Sequence, residues 1–291
     1  MLLGKSRAMM MKIHKREAGF LHLPNDDIVK TVVVALLLCL ICSVVVSAAA
    51  TFLKPQQLAN KLLDKKANIL TVSGIELDGR SIDEAFAQIE TRIIDISTGE
   101  YTADVDAQTY DQRKASKDAS MTLPLSSSEN IAKIAGLPKY ANVYLLKDND
   151  QVEKIILPIE GYGLWGTLYG FIALESDAIT VSSITFYDHK ETPGLGGEVE
   201  NKKWQASWAG KQIINDKGES VLGLIKGKVG PDTKDAQYKI DGLAGASLTS
   251  NGVSNMVKFW MSDKAFGTYL KRIRANKEQA QQATINNKER A

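Results

Sequence analysis

Residues 241–253, DGLAGASLTSNGV, place three hydroxyl side chains on a backbone of glycine and alanine. No base lies close in sequence to Ser247 or Thr249, so the stretch does not indicate a hydrolase nucleophile. No lysine follows in the order of a P-loop. The hydroxyls precede a segment predicted to become helical near Ser250 or Asn251, and a helix N-terminus binds phosphate through its free N–H groups. The stretch therefore predicts N-capping by Ser250 or Asn251, a phosphate site, or both.

Two further glycine-rich stretches precede it. Gly161–Gly166 (GYGLWG) has the spacing of a dinucleotide fingerprint, but a strand-like segment follows where that motif needs a helix. We predict a tight turn that presents the ring of Trp165. Residues 189–198 (HKETPGLGGE) predict a loop whose backbone can approach a ligand closely. His189 is the only histidine beyond the first 30 residues, so we predict neither a catalytic residue nor a metal site.

An uncharged run, Thr31–Leu53, is long enough for a helix that crosses a hydrocarbon core of about 30 Å. Positive charges before it predict a cytoplasmic N-terminus, with the rest of the chain exported. The alternative is a cleaved signal peptide with its site near residues 47–50. The charges are Lys5, Arg7, Lys12, Lys15 and Arg16.

Both cysteines, Cys39 and Cys42, lie inside that run. Their spacing is that of a thiol redox pair, but such pairs need a water-accessible helix N-terminus, so apolar filling is the simpler interpretation. The exported part has no cysteine, which excludes a disulfide, a cysteine zinc site and an iron–sulfur cluster of its own.

Composition indicates a globular protein: 44% of the 291 residues are hydrophobic and 24% are charged. The net charge is +2 and no DNA-reading motif is present, so nucleic-acid binding is not predicted.

The exported part predicts an α+β fold with a mostly antiparallel sheet and flanking helices. Short apolar runs broken by turns predict consecutive strands from Asn142 to Asp188. Further elements are expected as follows: a polar helix at 54–66, a strand at Asn68–Leu77, a capped helix at Ser81–Asp95, loops at 96–130, strands at Lys211–Ile214 and Val221–Lys228, and a helix at Asn251–Arg274.

Four stretches in this order behind one apolar span resemble the C subunits of the Na+-translocating NADH:quinone reductases. They are GYGLWGTLYGFIALE, HKETPGLGGEVEN, WQASWAGK and DGLAGASLTSNGV. The G subunit of the Rnf electron-transport complex is a relative with a similar flavin motif. The sequences ETPGLGGE and GLWGTLYGF are more similar to those of the quinone reductase. The resemblance covers the anchor and residues from about 140 to 270.

The resemblance implies an FMN-binding domain with FMN attached through a phosphoester. In the family, a flavin transferase reads a motif of the form D-G-x-[S/T]-G-A-T, which falls here on residues 241–247. Ala244 replaces the usual hydroxyl residue, and Ser247 replaces the acceptor threonine. Serine offers the same oxygen, so Ser247 is the predicted acceptor and Thr249 the alternative. The other residues that the resemblance places at the cofactor are Asp241, Gly245, Ala246, Leu248, Glu191, Thr192, Leu195, Gly196 and Trp165.

The resemblance also implies a role and a place in the cell. The chain would relay electrons from an intramembrane iron centre to flavins of the B subunit, as part of a complex that couples NADH:ubiquinone reduction to Na+ export. It would not be active alone. The implied partners are the other members of a six-subunit complex (notably the B, D and E subunits), the flavin transferase and the bacterial inner membrane. A subunit of an Rnf complex and a flavin-free membrane scaffold remain as alternatives.

The predicted divisions follow from these interpretations. They are a cytoplasmic segment at 1–30, a transmembrane helix at 31–53, a periplasmic helical and loop part at 54–140, the FMN-binding domain at 141–274, and a polar, frayed tail at 275–291.

Overall fold

The computed structural model describes Pro24 and residues 27–289. The five basic residues named above, and most of the predicted cytoplasmic segment 1–30, lie outside the described residues. The chain divides into two compact units, residues 1–61 and 62–291.

Among the described residues, the first unit contains the helix α1 (Ile28–Ser73), which continues past residue 61. Its apolar part contains the predicted span and is long and apolar enough to cross a membrane. None of that window is buried within the protein. The predicted polar helix at 54–66 is part of α1, with Pro55 inside it.

The second unit is built on a six-stranded sheet in the order β2-β1-β5-β6-β7-β8, and every neighbouring pair is antiparallel. The predicted α+β class with a mostly antiparallel sheet is therefore confirmed. The strands are β1 (Ile89–Asp95), β2 (Glu100–Tyr101), β3 (Thr122–Leu123), β4 (Leu137–Pro138), β5 (Tyr140–Asp148), β6 (Gln151–Tyr162), β7 (Thr167–Glu175), β8 (Val181–Asp188), β9 (Gly223–Leu224) and β10 (Lys239–Ile240). The other helices are α2 (Ile82–Phe86), α3 (Gln112–Ala115), α4 (Lys202–Ala206), α5 (Ser247–Trp260) and α6 (Gly267–Glu289), with 3-10 turns at Ala119–Met121, Gly196–Glu200 and Ala236–Tyr238.

Both faces of the sheet are covered, because β6 alternates between two clusters of buried side chains. Leu157 and Ile159 belong to the cluster that includes Val253 and Met256 of α5. Ile156 belongs to the cluster that includes the end of α1. This alternation is the period-two pattern of a strand, and it places α5 on one face of the sheet.

The predicted strand at Asn68–Leu77 is wrong, because α1 continues to Ser73. The buried residues Ile69, Leu70, Val72 and Ser73 have the spacing of one helical face, and the apolar ones among them pack on the sheet.

The predicted helix at Ser81–Asp95 is correct only in its first turn. The capping box of Ser81 and Glu84 is present, but α2 ends at Phe86 and β1 follows. Ile93 and Ile94 are both buried, as in a strand covered on both faces, and such a run lacks the alternation that distinguishes a strand from a helix.

The predicted helix at Asn251–Arg274 is two helices, interrupted between Trp260 and Gly267. The Phe266 N–H donates to the Trp260 carbonyl, which folds the chain back, and a Cβ at Gly267 would collide with Ser262. The tail expected to fray from residue 275 is helical to Glu289.

The remaining predictions concern the region 96–130 and the segments between β8 and α5. The region 96–130 is largely irregular, as predicted. The strands expected at Lys211–Ile214 and Val221–Lys228 are reduced to isolated bridges and the two-residue β9.

Candidate functional site

The three glycine-rich stretches meet at one place. They form the turn between β6 and β7 (residues 163–166, the hairpin tip), the loop after β8 (residues 189–197, the glycine loop) and the first turn of α5. The tip closes as a tight turn, with the Gly163 N–H donating to the Gly166 carbonyl at 2.8 Å. The tight turn predicted at GYGLWG is thus confirmed.

Glu191 of the glycine loop joins all three segments. Its Oε1 accepts hydrogen bonds from the backbone N–H groups of Leu164 (2.9 Å) and Trp165 (3.0 Å). Its Oε2 accepts one from Thr249 Oγ1 at 2.5 Å. The side chain is buried and its carboxylate is occupied by three donors, so it acts within the protein. Sequence reasoning placed Glu191 at the cofactor but missed these bonds.

Two glycines allow this close approach. A Cβ at Gly163 would lie 2.5 Å from Glu191 Oε1. A Cβ at Gly196 would lie 2.6 Å from Thr249 Oγ1 and would also collide with the Glu191 carboxylate. These two glycines therefore make room for a buried carboxylate.

Ser247 and Thr249 have opposite environments. Ser247 is exposed and is the first residue of α5, and no hydrogen bond to its hydroxyl is present within the described residues. Thr249 is fully buried and its hydroxyl is engaged by Glu191. Of the two predicted acceptors, only Ser247 presents its oxygen to solvent.

The start of α5 lacks a side-chain cap. Ala246 is the N-cap residue, and among the described residues no side chain caps the first-turn N–H groups. The predicted caps are wrong: Ser250 and Asn251 lie inside the helix, and Ser250 Oγ accepts from the Leu243 N–H at 3.0 Å. A 14-residue helix with free N–H groups at its start offers a site for an anion beside Ser247.

Exposed apolar side chains lie on the three segments that Glu191 joins, and we call them the apolar rim. They are Leu164 (40% exposed), Trp165 (62%), Leu195 (44%) and Leu248 (61%). Leu195 also approaches the α5 turn, because its Cδ2 would lie 2.9 Å from a Cβ at Gly245. The rim suits a flat apolar molecule, and the helix start suits a phosphate on the same molecule.

The remaining residues predicted at the site form hydrogen bonds, turns or core contacts within the protein. Asp241 Oδ1 accepts from the Val229 N–H at 2.7 Å, and the Asp241 carbonyl accepts from Trp204 Nε1 at 2.9 Å. The Thr192 carbonyl closes the glycine loop by accepting from the Gly197 N–H at 2.9 Å. Gly245 has a φ of +71°, which permits the sharp turn into α5, and Ala246 is buried in the core.

His189 anchors the start of the glycine loop. Its Nδ1 accepts from the Glu191 backbone N–H at 3.1 Å, so the ring proton of a neutral imidazole lies on Nε2. Nε2 is buried and lies 3.0 Å from Glu200 Oε1, but it makes no hydrogen bond with any of the described residues.

A buried carboxyl that the sequence did not reveal lies on β6, two residues before its end. Burial of Glu160 raises the pKa of its carboxyl to about 7, partly opposed by a hydrogen bond from Ser116 and the positive charges of Arg113 and Lys117. Glu160 thus resists ionisation although cationic groups face it.

Comparison with known proteins gives a consistent set of relatives. A sequence model described as the FMN-binding domain matches residues 163–262, which include the hairpin tip, the glycine loop and α5. The chain is 45% identical over 251 residues to the C subunit of the Na+-translocating NADH-quinone reductase of Vibrio alginolyticus, an alignment that covers 86% of this chain and 96% of that relative. It is 43% identical over 254 residues to the C subunit of the same enzyme in Pseudomonas aeruginosa, covering 86% and 97% of the two chains.

Two solved structures have a similar fold. The crystal structure of NqrC from Shewanella oneidensis matches with a TM-score of 0.69 at 29% identity, covering 75% of this chain and 99% of that one. The crystal structure of the C subunit from Parabacteroides distasonis matches with a TM-score of 0.58 at 25% identity, covering 75% and 96%.

Proposed function

The chain belongs to the family of C subunits of the Na+-translocating NADH-quinone reductases, and from this we propose that it is an electron-carrier subunit with FMN attached covalently to Ser247. FMN binding itself agrees with the FMN-binding domain found at residues 163–262. The observation that carries the covalent link is the exposed Ser247 hydroxyl at the uncapped start of α5, beside a buried and engaged Thr249.

The residues present fit a flavin phosphate. In the proposed phosphoester, Ser247 Oγ would lose its proton and bond to the flavin phosphorus, and the phosphate would lose a hydroxyl group, so that one water leaves overall relative to free FMN. The remaining phosphate charge then meets the free N–H groups of the first turn of α5 and the positive end of its dipole. The esterified phosphate would therefore occupy the anion site at the start of α5, with serine in place of the family's threonine as the attachment residue.

The apolar rim fits the ring system. Leu164, Trp165, Leu195 and Leu248 expose apolar surface on the three segments that meet at the site, and a flat aromatic ring would cover part of it. When bound, the flavin supplies the redox chemistry. The chain's own residues bind the phosphate, orient the ring and exclude water from its apolar face.

We further propose the cellular setting that the family implies. Helix α1 would anchor the chain in the bacterial inner membrane, with the second unit in the periplasm. There the protein would relay electrons between an intramembrane iron centre and the flavins of the B subunit, with the D and E subunits as further partners, in a complex that exports Na+. The relatives from Vibrio and Pseudomonas favour this assignment over membership of an Rnf complex.

The covalent flavin is tested by producing the full chain with and without a flavin transferase and viewing its flavin fluorescence on a denaturing gel. We expect fluorescence only with the transferase, its loss in Ser247→Ala, and its retention in Thr249→Val. Fluorescence retained in Ser247→Ala would move the acceptor elsewhere. No fluorescence in any sample would overturn the covalent site and support a flavin-free scaffold.

A further inference from the structure

The Glu191 carboxylate is bonded to two segments that the proposed flavin would bridge. Oε1 holds the hairpin tip through Leu164 and Trp165, and Oε2 holds the first turn of α5 through Thr249. Thr249 is two residues beyond Ser247. One buried carboxylate therefore links the backbone that carries the Trp165 ring to the turn that carries the ester oxygen.

Glu191 is itself fixed at its backbone. His189 Nδ1 accepts from the Glu191 N–H, which holds the residue at the start of the glycine loop. Glu191 is 6% exposed, so solvent does not compete for its oxygens. A charged acceptor in such a place forms strong hydrogen bonds, and each of its donors would be left unsatisfied if it were removed.

We propose that Glu191 is a positioning residue that fixes the hairpin tip to the first turn of α5, and so sets where the apolar rim lies relative to Ser247. The inference rests on the proposed function for its flavin consequence. These hydrogen bonds of the Glu191 carboxylate, which we call the brace, belong to the chain itself and exist before any flavin is attached. Without the brace, the Leu164 and Trp165 amides would lose their link to the first turn of α5, and the ring would lose its fixed apolar neighbour.

Hydrogen exchange tests the brace in the full-length protein made without the transferase. We expect Glu191→Ala to speed exchange of the Leu164 and Trp165 amides by about tenfold or more, because each loses its charged acceptor. Glu191→Gln should have a smaller effect, since an amide oxygen can still accept from the tip. The control is Glu153→Ala, an exposed carboxylate at the far end of β6.

A second pair of variants keeps the test decisive if Glu191→Ala does not fold. Thr249→Val is nearly isosteric and removes only the donor to Oε2, while Thr249→Ser retains a hydroxyl. We expect faster exchange at the start of α5 in Thr249→Val and near-normal exchange in Thr249→Ser. Unchanged exchange in both Glu191→Ala and Thr249→Val would overturn the brace.

The flavin consequence has its own measurement. Chains with equal Ser247 occupancy by mass spectrometry are compared by fluorescence anisotropy of the attached flavin. We expect lower anisotropy in Thr249→Val than in Thr249→Ser or Glu153→Ala. Equal anisotropy in all would overturn the positioning role, whereas an unmodified Ser247 peptide would refute the proposed function and leave the exchange result standing.

Discussion

Thr249 donates its hydroxyl to Glu191 across 2.5 Å, although the two residues are 58 positions apart in the sequence. The bond places one of the two hydroxyls that could have carried a flavin inside the protein and leaves Ser247 outside. It also links the glycine loop to α5 through the buried Glu191 carboxylate. Two neighbouring hydroxyl residues of one motif are therefore divided into a buried structural residue, Thr249, and an exposed one, Ser247.

Loss of this bond should destabilise the second unit. Thr249→Val leaves the buried Glu191 Oε2 without its donor, and we expect the free energy of unfolding to fall by about 1–3 kcal/mol. Thr249→Ser should cost less, because the hydroxyl remains. Chemical denaturation of the purified protein, followed by tryptophan fluorescence, measures both; equal stability of the valine variant and the parent would contradict the account.

Gly196 should tolerate no side chain. In Gly196→Ala the new methyl would collide with the Glu191 carboxylate and lie 2.6 Å from Thr249 Oγ1. We expect destabilisation of about 1–3 kcal/mol. Gly230→Ala is the matched control, because a Cβ there meets nothing within 4 Å and the backbone is not left-handed. Comparable midpoints for the two variants in denaturant would show that the packing around Glu191 is looser than described.

Glu160 should make stability depend on pH. Its folded pKa of about 7 exceeds the ordinary 4.5, so the folded state holds a proton that the unfolded state has lost between these values. The resulting stability is present below about pH 4.5 and is lost as the pH rises through about 7. We expect Glu160→Gln to lose less stability than the parent between about pH 5 and pH 8, by about 1–3 kcal/mol.

Thermal unfolding across that pH range checks the Glu160 prediction. Glu153→Gln, at an exposed position of the same strand, controls for the loss of one charge. Parallel pH profiles for the parent and Glu160→Gln would mean that the Glu160 carboxyl is not held protonated.

The sequence predicted the parts of the fold that have local signals. Strands β5 to β8 are apolar runs separated by turns, and the capping box of Ser81 marks the start of α2. β1 was mistaken for helix because Ile93 and Ile94 face opposite, equally buried sides of the sheet. The end of α1 was mistaken for a strand because it contains the β-branched residues Ile69, Thr71 and Val72, which are common in strands.

The candidate site was predictable as a set of segments and not as a network. Glycine content and family resemblance identified the hairpin tip, the glycine loop and the start of α5. The Glu191–Thr249 bond could not be found, because nothing local in a sequence indicates which distant donor a buried carboxylate meets. For the same reason the sequence did not predict the hydrogen bond from the Val229 N–H to the Asp241 carboxylate.

Ser247→Thr should be accepted by the site. Ser247 is exposed at the first position of α5, so the added methyl meets solvent, and the family's usual acceptor is restored. We expect the threonine variant to be flavinylated at least as completely as the parent when both are made with the transferase. Quantitative comparison of flavin absorbance per chain measures this; a clearly lower occupancy would indicate that the serine is specifically required.

Fragmentation mass spectrometry of the peptide that contains Ser247 and Thr249, from the full chain made with the transferase, tests the central claim most directly. The account predicts a mass increase of one FMN less one water, with fragment ions that place it on Ser247. The same modification on Thr249, or an unmodified peptide from transferase-containing cells, would contradict it.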